Sequence, residues 1–144
     1  MGKKRIIKKS AGGVNRELKS RALSRAPKKK VAEGILHICA TYNNTLVSFT
    51  DVGGNVLTWS SAGALGFKGT RKSTPYAASK VSELIAEQAK MMGVRKVGVI
   101  VKGIGAGRES AIRSFALKGF DISYVKDATP LPHNGPRPKK PRRV

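Results

Sequence analysis

Three short stretches in the first half of the chain are rich in apolar residues and are separated by turn residues. These stretches are residues 35–42, 45–50 and 56–59. In the middle stretch Val47 and Phe49 share one side, which is the two-residue period of a strand with one buried face. Asn43 and Asn44 separate the first two stretches, and a glycine-containing turn at 53–55 separates the last two. The pattern predicts three strands of an antiparallel meander.

The spacing of apolar residues changes from two to three and four after residue 74. Thr74 and Pro75 are typical of an N-cap and of the first turn of a helix. The apolar residues that then share one helical face are Ala78, Val81, Ile85, Ala89 and Met92. Gly93 is typical of the end of a helix. An amphipathic helix that faces a sheet is therefore predicted between Pro75 and Gly93.

A continuous apolar stretch follows at 97–101 and lacks alternation, as expected for a strand that is covered on both faces. A second helix is predicted over 108–118, ended by Gly119, and a fifth strand over 120–125. The predicted inward residues of this helix are Ile112, Phe115 and Ala116. The order βββαβαβ predicts an α/β fold, in which a single domain holds a mixed five-stranded sheet with right-handed crossovers.

Positive charge is concentrated at the two ends of the 144-residue chain, whose formal net charge is +21. Residues 1–30 hold 12 basic residues and one acidic residue, residues 31–127 hold 12 and seven, and residues 128–144 hold five and none. The length suits one domain. We therefore predict a globular domain over 33–127, a basic N-terminal arm over 1–32 and a basic C-terminal arm over 128–144.

The two arms differ in their predicted state. Few apolar residues lie between the lysine clusters of the N-terminal arm, so it is expected to be disordered in the free protein, apart from a short helix over 14–26. The C-terminal arm holds five prolines, which favour an extended chain. So large an excess of positive charge indicates a polyanionic partner, with nucleic acid as the first candidate and an anionic membrane surface as the second.

Other features narrow the classes of protein. No apolar stretch approaches the ~20 residues of a membrane span, and the N-terminus lacks the apolar core of a secretory signal. The lone Cys39 excludes an internal disulfide and fits a reducing compartment. His37 shares a strand face with Cys39, but His133 is distant and the acidic residues are scattered. No metal site, cofactor or catalytic residue is therefore predicted.

The segment 59–75 is the first candidate for contact with RNA. It is rich in glycine and in small hydroxyl residues, carries the aromatic residues Trp59 and Phe67, and holds three basic residues. The basic residues are Lys68, Arg71 and Lys72. Such a loop suits contacts with phosphate and sugar. The alternative is a solvated basic loop with both aromatic rings in the core.

The segment 102–109 is the second candidate, because its glycines lie between a strand and a helix, where a dinucleotide-binding loop would be. Arg108 stands at the third glycine position and no Gly-Lys-Ser/Thr sequence follows, so a nucleotide cofactor is disfavoured. Free N–H groups at a helix N-terminus still bind anions. Lys102 and Arg108 beside them predict an RNA phosphate, and ordinary turn chemistry is the alternative.

Six motifs carry a resemblance to a known family. They are TYNNT at 41–45, TDVGGNV at 50–56, WSSAG at 59–63, GFKGTRK at 66–72, KGIGAGRE at 102–109 and TPLPHNG at 129–135. Over residues 33–144 the chain closely resembles bacterial-type small-subunit ribosomal protein S-eleven. Ile104 stands where that family often has proline, Pro136 replaces the usual cysteine, and the order of the last residues differs, so the path of the C-terminal arm is expected to differ in detail.

The resemblance implies a ribonuclease-H-like sheet without catalytic acids, on the platform of the small ribosomal subunit. It implies contacts with small-subunit ribosomal RNA, with the seventh and eighteenth small-subunit proteins as neighbours, and with messenger RNA near the exit site. It implies no membrane and no small-molecule substrate, and a cytoplasmic ribosome, with an organellar one also open. A free DNA- or membrane-binding basic protein and a small phosphate-ligand enzyme remain as alternatives from other classes.

The basic segments and the resemblance together give a set of predicted RNA-binding residues. In the body they are Asn43, Asn44, Thr45, Trp59, Ser60, Gly66, Phe67, Lys68, Gly69, Thr70, Arg71, Lys72, Lys102, Gly105, Gly107 and Arg108. In the C-terminal arm they are His133, Asn134, Arg137, Lys139, Lys140, Arg142 and Arg143.

Overall fold

Five strands form one mixed sheet in the computed structural model, which describes residues 15–24 and 29–141. The strands are β1 (Glu33–Ala40), β2 (Thr45–Thr50), β3 (Val56–Ser61), β4 (Lys96–Lys102) and β5 (Asp121–Asp127). Their spatial order is β3-β2-β1-β4-β5. The pairs β1–β2 and β2–β3 are antiparallel, whereas β1–β4 and β4–β5 are parallel. The predicted mixed sheet is confirmed, and it agrees with the ribonuclease-H-like sheet that the resemblance implied.

Three helices accompany the sheet. They are α1 (Arg16–Ser24), α2 (Pro75–Met91) and α3 (Gly107–Ala116), and a short 3₁₀ helix (Gly69–Ser73) precedes α2. The Thr74 hydroxyl accepts a hydrogen bond from the Ala77 N–H at 3.2 Å, which caps α2 as predicted. Gly93 ends α2 in a left-handed conformation, with φ +79°. All five residues of the predicted apolar face of α2 are buried.

The buried face of α3 is a narrower stripe than predicted. Gly107, Ala111 and Phe115 are buried, Ile112 is half-buried and Ala116 is exposed. The prediction for Ala116 was wrong because α3 packs mainly on α2, whose Ser82 hydroxyl donates to the Ala111 carbonyl at 2.7 Å. Residues four apart on α3 meet that neighbour, and a residue one further along the chain turns away from it.

The predicted short helix in the N-terminal arm is confirmed as α1, which lies against the body. It buries none of its own residues completely, but Ala22 and Leu23 pack against the core. The buried Gln88 amide donates to the Ala22 carbonyl at 2.8 Å and accepts a hydrogen bond from the Thr58 hydroxyl. Of the rest of the arm that was predicted to be disordered, residues 1–14 and 25–28 lie outside the described residues. Residues 29–32 contact the body, since the Val31 N–H donates to the Met92 carbonyl at 3.1 Å and the Arg95 N–H to the Ala32 carbonyl at 2.9 Å, so the prediction of disorder was wrong there.

The carboxyl ends of the parallel strands β1, β4 and β5 lie at one end of the sheet, as do the start of β2 and the end of β3. The turns 41–44, 62–74 and 103–106 meet at this end with residues 128 and 129, and we call this set the loop rim. Its parts are hydrogen-bonded together, since the Ala62 N–H donates to the Thr45 carbonyl at 3.1 Å and the Gly105 N–H to the Ala40 carbonyl at 2.9 Å. Segments far apart in sequence therefore form one surface.

Candidate nucleic-acid interface

The 66–72 loop presents its basic side chains on the loop rim. Lys68 and Arg71 are exposed and Lys72 is half-buried, and none of the three forms an ion pair within the described ranges. Gly66 and Gly69 have φ of +95° and +59°, conformations that glycine adopts without strain. The loop can therefore offer unneutralised positive charge to a polyanion.

The two aromatic residues near this loop lie in opposite environments. Phe67 is 5% exposed and belongs to the hydrophobic core, where its ring meets the Tyr76 ring edge-on at 6.1 Å. The prediction that Phe67 contacts RNA is therefore corrected, because a buried ring has no free face for a base. Trp59 is 65% exposed and pairs with Ser48 on the sheet face away from α2 and α3. The alternative of two core aromatics thus holds for Phe67 alone.

The glycines of the 102–108 turn allow close packing of the backbone. A Cβ on Gly105 would lie 2.4 Å from the Thr41 carbonyl oxygen, and a Cβ on Gly107 would lie 2.7 Å from Ala78 Cβ. Both glycines are buried, and the Gly105 N–H already donates to the Ala40 carbonyl. The predicted contacts of Gly105 and Gly107 with RNA are therefore corrected. Tight-turn chemistry, the alternative interpretation, accounts for both residues.

Arg108 is engaged within the protein. Its guanidinium donates to the Gly103 carbonyl, to the Asp127 carboxylate and, at 3.5 Å, to the Thr129 hydroxyl. The Thr129 hydroxyl and N–H donate to Asp127 Oδ1 at 2.6 and 2.9 Å. These hydrogen bonds from Thr129, followed by that from Arg108, lower the pKa of Asp127 to about 2. The predicted contact of the half-buried Arg108 with an RNA phosphate stays a prediction, and Lys102 is exposed.

The uncharged polar residues of the other predicted motifs lie partly on the surface and partly in the core. Asn43 is exposed and Asn44 is half-buried. The side chain of Asn44 accepts a hydrogen bond from the Thr45 N–H at 3.0 Å. Thr45 is 1% exposed and Ser60 is 4% exposed, so both face the helix layer. The predicted RNA contacts of Thr45 and Ser60 are therefore corrected to packing positions, since a strand alternates its faces.

The C-terminal arm lies outside the core from Pro130 onward. Residues 130–141 are all exposed, including His133, Arg137, Lys139 and Lys140. Asn134 has φ +57° and bends the arm. Arg142 and Arg143 lie outside the described residues. The arm can therefore present three described basic side chains without disturbing the body.

Metal-binding and membrane-crossing features were also sought in residues 15–24 and 29–141. No group of three or more His, Cys, Asp and Glu side chains is placed to hold a metal ion there. In the same ranges no helix has the length and hydropathy needed to cross a bilayer. His37 Nε2 lies 3.3 Å from the Thr50 hydroxyl, and burial, with Lys102 nearby, lowers the pKa of His37.

Sequence reasoning missed the partners of Arg108. Thr129 entered only as the first residue of the 129–135 motif, and Asp127 only as the end of the predicted domain. The sequence did contain a signal, because an aspartate two residues before a threonine can accept both its N–H and its hydroxyl. That Arg108 joins them depends on the pairing of β5 with β4, which the sequence pattern gives only after the fold is known.

A comparison with known families identifies the chain. The family model described as Ribosomal protein S11 matches residues 34–143, which is well over half of the 144 residues. The chain belongs to the ribosomal protein S11 family. A member of this family is a structural, RNA-binding protein of the small ribosomal subunit, and the family is not one of enzymes.

Proposed function

We propose that the loop rim and the C-terminal arm bind the small-subunit ribosomal RNA of the platform and help to shape the messenger-RNA exit region. The single observation that carries this proposal is the position of the exposed cations. Lys68 and Arg71 lie on the rim, Lys102 ends β4 beside it, and the arm departs from the rim at Thr129, so basic side chains of the body and of the arm lie at the same end of the sheet. Phosphate contacts of this kind position a protein on RNA and need no base-specific group.

The proposal extends to the neighbours of the chain. The seventh and eighteenth small-subunit proteins are the proposed protein partners, and messenger RNA near the exit site is a further proposed contact, in a cytoplasmic ribosome. Trp59 is proposed to stack on an unpaired base, because an exposed indole on an open sheet face offers a broad apolar surface. Exposed Asn43 is the proposed polar contact at the neighbouring turn.

Charge reversal at two ends of the same sheet tests the proposal. Arg71→Glu with Lys72→Glu alters the rim. Arg95→Glu with Lys96→Glu, which reverses two exposed charges at the opposite end of the sheet, is the control. Binding is measured to small-subunit particles that were reconstituted without this chain. We expect the rim variant to bind them roughly hundredfold more weakly than the unaltered chain does, with a log–log salt slope smaller in magnitude by about 2. The control variant should lose much less affinity.

Two outcomes would count against the proposal. Equal losses for the two variants would mean that binding responds to net charge alone and that the rim has no special part. Failure of the unaltered chain to co-sediment with small subunits in high-salt sucrose gradients would favour a free nucleic-acid- or membrane-binding protein.

A further inference from the structure

The root of the C-terminal arm is tied to the 102–108 turn by a closed set of hydrogen bonds. The Ala128 N–H donates to the Val101 carbonyl at 2.8 Å, which extends the pairing of β5 with β4 by one residue. The Thr129 hydroxyl then accepts a hydrogen bond from the Gly103 N–H at 3.2 Å. Arg108 completes the set through its contacts with the Gly103 carbonyl and the Asp127 carboxylate. The chain is thus held at the last position before it leaves the body.

The direction of the arm depends on this point, because no later residue rests in the core. Residues 130–141 are all exposed and include five prolines, which favour an extended chain on either side of the bend at Asn134. Arg137 and Lys140 follow Thr129 by at most about 25–35 Å, the length of a fully extended chain. A change of angle at the root would therefore displace these charges by a large part of that length.

Asp127 is an unexpected residue at the start of an RNA-binding arm. A carboxylate there repels phosphate and cancels the charge of Arg108, so simple electrostatics would favour its absence. Asp127 is ionised at neutral pH, as any aspartate with an ordinary pKa would be, and hydrogen bonds from Thr129 and Arg108 lower its pKa further, to about 2. A structural role that outweighs the repulsion would account for it, and its contacts lie entirely between the arm root and the turn.

We propose that Arg108, Asp127 and Thr129 form a clamp that fixes the direction in which the C-terminal arm leaves the body, and that this raises the affinity of the arm for RNA. The three are positioning residues, since they act through the basic residues of the arm. A directed arm loses less conformational freedom on binding than a free one. This inference rests on the proposed function of the arm in RNA binding.

The substitution Asp127→Asn distinguishes the clamp from a purely electrostatic effect, because the two predict different directions of change in binding affinity. It removes a negative charge, so charge alone predicts equal or tighter binding to reconstituted particles that lack this chain. The clamp predicts binding about tenfold weaker, the loss expected when the arm root must be ordered on binding. Asp121→Asn is the matched control, since Asp121 is exposed at the other end of β5 and forms no side-chain hydrogen bond within the described ranges.

Thr129→Val provides a second variant that changes no charge. It removes the hydroxyl that joins Asp127 to Gly103 and should weaken binding in the same direction as Asp127→Asn. Because the side chains of the clamp are at least partly exposed, both variants should keep a melting temperature within a few degrees of the unaltered chain. Binding as tight as that of the unaltered chain in both variants would overturn the proposal.

A full-length neutral-arm variant tests whether the clamp acts through the arm. Its five basic residues are changed to glutamine: Arg137, Lys139, Lys140, Arg142 and Arg143. In this background Asp127→Asn should no longer weaken binding, and an undiminished tenfold loss would overturn the clamp. If the neutral arm binds as tightly as the unaltered arm, the arm has no part in RNA binding, and the proposed function of the arm fails together with this inference. If the neutral arm binds more weakly, but Asp127→Asn in the chain with its unaltered arm binds as tightly as the unaltered chain, the clamp alone is refuted.

The salt dependence of binding gives a second measurement, because the loss of a phosphate contact would reduce the log–log salt slope. Asp127→Asn should leave the log–log salt slope unchanged, because the same phosphates are contacted after the arm is ordered. Lys140→Gln should reduce the slope by about 1. A reduced slope for Asp127→Asn would overturn the clamp in favour of lost contacts.

Discussion

The 66–72 loop and the 102–108 turn resemble each other in composition but use their charges differently. Both are rich in glycine, both carry basic residues and both lie on the loop rim. In the loop, Lys68 and Arg71 are exposed without an acidic partner within the described residues. In the turn, Arg108 is bound by Asp127, an acid that lies 19 positions further along the chain. Basic residues that look alike in sequence thus differ in whether the fold pairs them with a carboxylate.

The glycines of the two segments differ in the same way. Those of the turn are needed for space, since a Cβ on Gly105 or Gly107 would overlap a neighbour. Gly69 of the loop has nothing within 4 Å of such a Cβ, and its requirement is the positive φ. The 102–108 turn is therefore packed against its neighbours and the 66–72 loop is exposed, although both are glycine-rich and basic in sequence.

The largest expected effect is a loss of stability when Phe67, the buried residue of the 66–72 loop, is truncated. Phe67→Ala should lower the free energy of unfolding by about 3–5 kcal/mol, because it removes a buried ring from the core. Trp59→Ala should change stability little and should instead weaken RNA binding, since the indole is 65% exposed. Chemical denaturation of both variants, together with particle binding, measures the contrast. A stability loss for Trp59→Ala as large as that for Phe67→Ala would contradict it.

An intermediate effect is expected from adding one methyl group to each segment. Gly105→Ala places a Cβ 2.4 Å from the Thr41 carbonyl oxygen and should cost about 1–3 kcal/mol or more, since backbone must shift. Gly69→Ala enters open space at φ +59° and should cost about 1–2 kcal/mol. Thermal unfolding should rank Gly105→Ala as the less stable variant. The reverse order would mean that the turn relaxes more easily than its contacts indicate.

The smallest expected effect is the pH dependence of the Arg108–Asp127 contact. The pKa of Asp127 is lowered from 3.8 to about 2, so its contribution to stability is fully present above pH 3.8 and is lost as the pH falls through 2. The melting temperature of the unaltered chain should exceed that of Asp127→Asn by a small margin at pH 5. That margin should shrink towards pH 2. A margin that is constant over this range would show that ionisation of Asp127 does not contribute.

The sequence predicted most of the fold because periodicity reports burial directly. Val47 and Phe49, for example, follow the strand period and are both buried. The face of α3 was less predictable, since Ala116 is apolar and its exposure depends on where α2 lies. The helix in the N-terminal arm was predicted from its residues, but its contact with Gln88 depends on the tertiary position of α2.

The candidate site was predicted at the level of segments, and only partly at the level of side chains. Lys68 and Arg71 are exposed as expected, whereas Ser60 and Phe67 carry hydroxyl and aromatic groups that the fold turns inward. A motif does not tell which face of a strand a residue occupies until the register is known. The contact between Arg108 and Asp127 could not be predicted either, because the two residues are 19 positions apart and meet only through the topology of the sheet.

The docking of α1 has a practical consequence for work with this protein. The Asn15 N–H donates to the Leu65 carbonyl at 3.2 Å, so the described N-terminal segment starts on the same rim from which the C-terminal arm departs at Thr129. A fluorophore attached near Asn15 or near Thr129 would thus sit next to the surface that we propose meets RNA. The exposed turn around Gly54, at the opposite end of the sheet, is the better place for an inserted label.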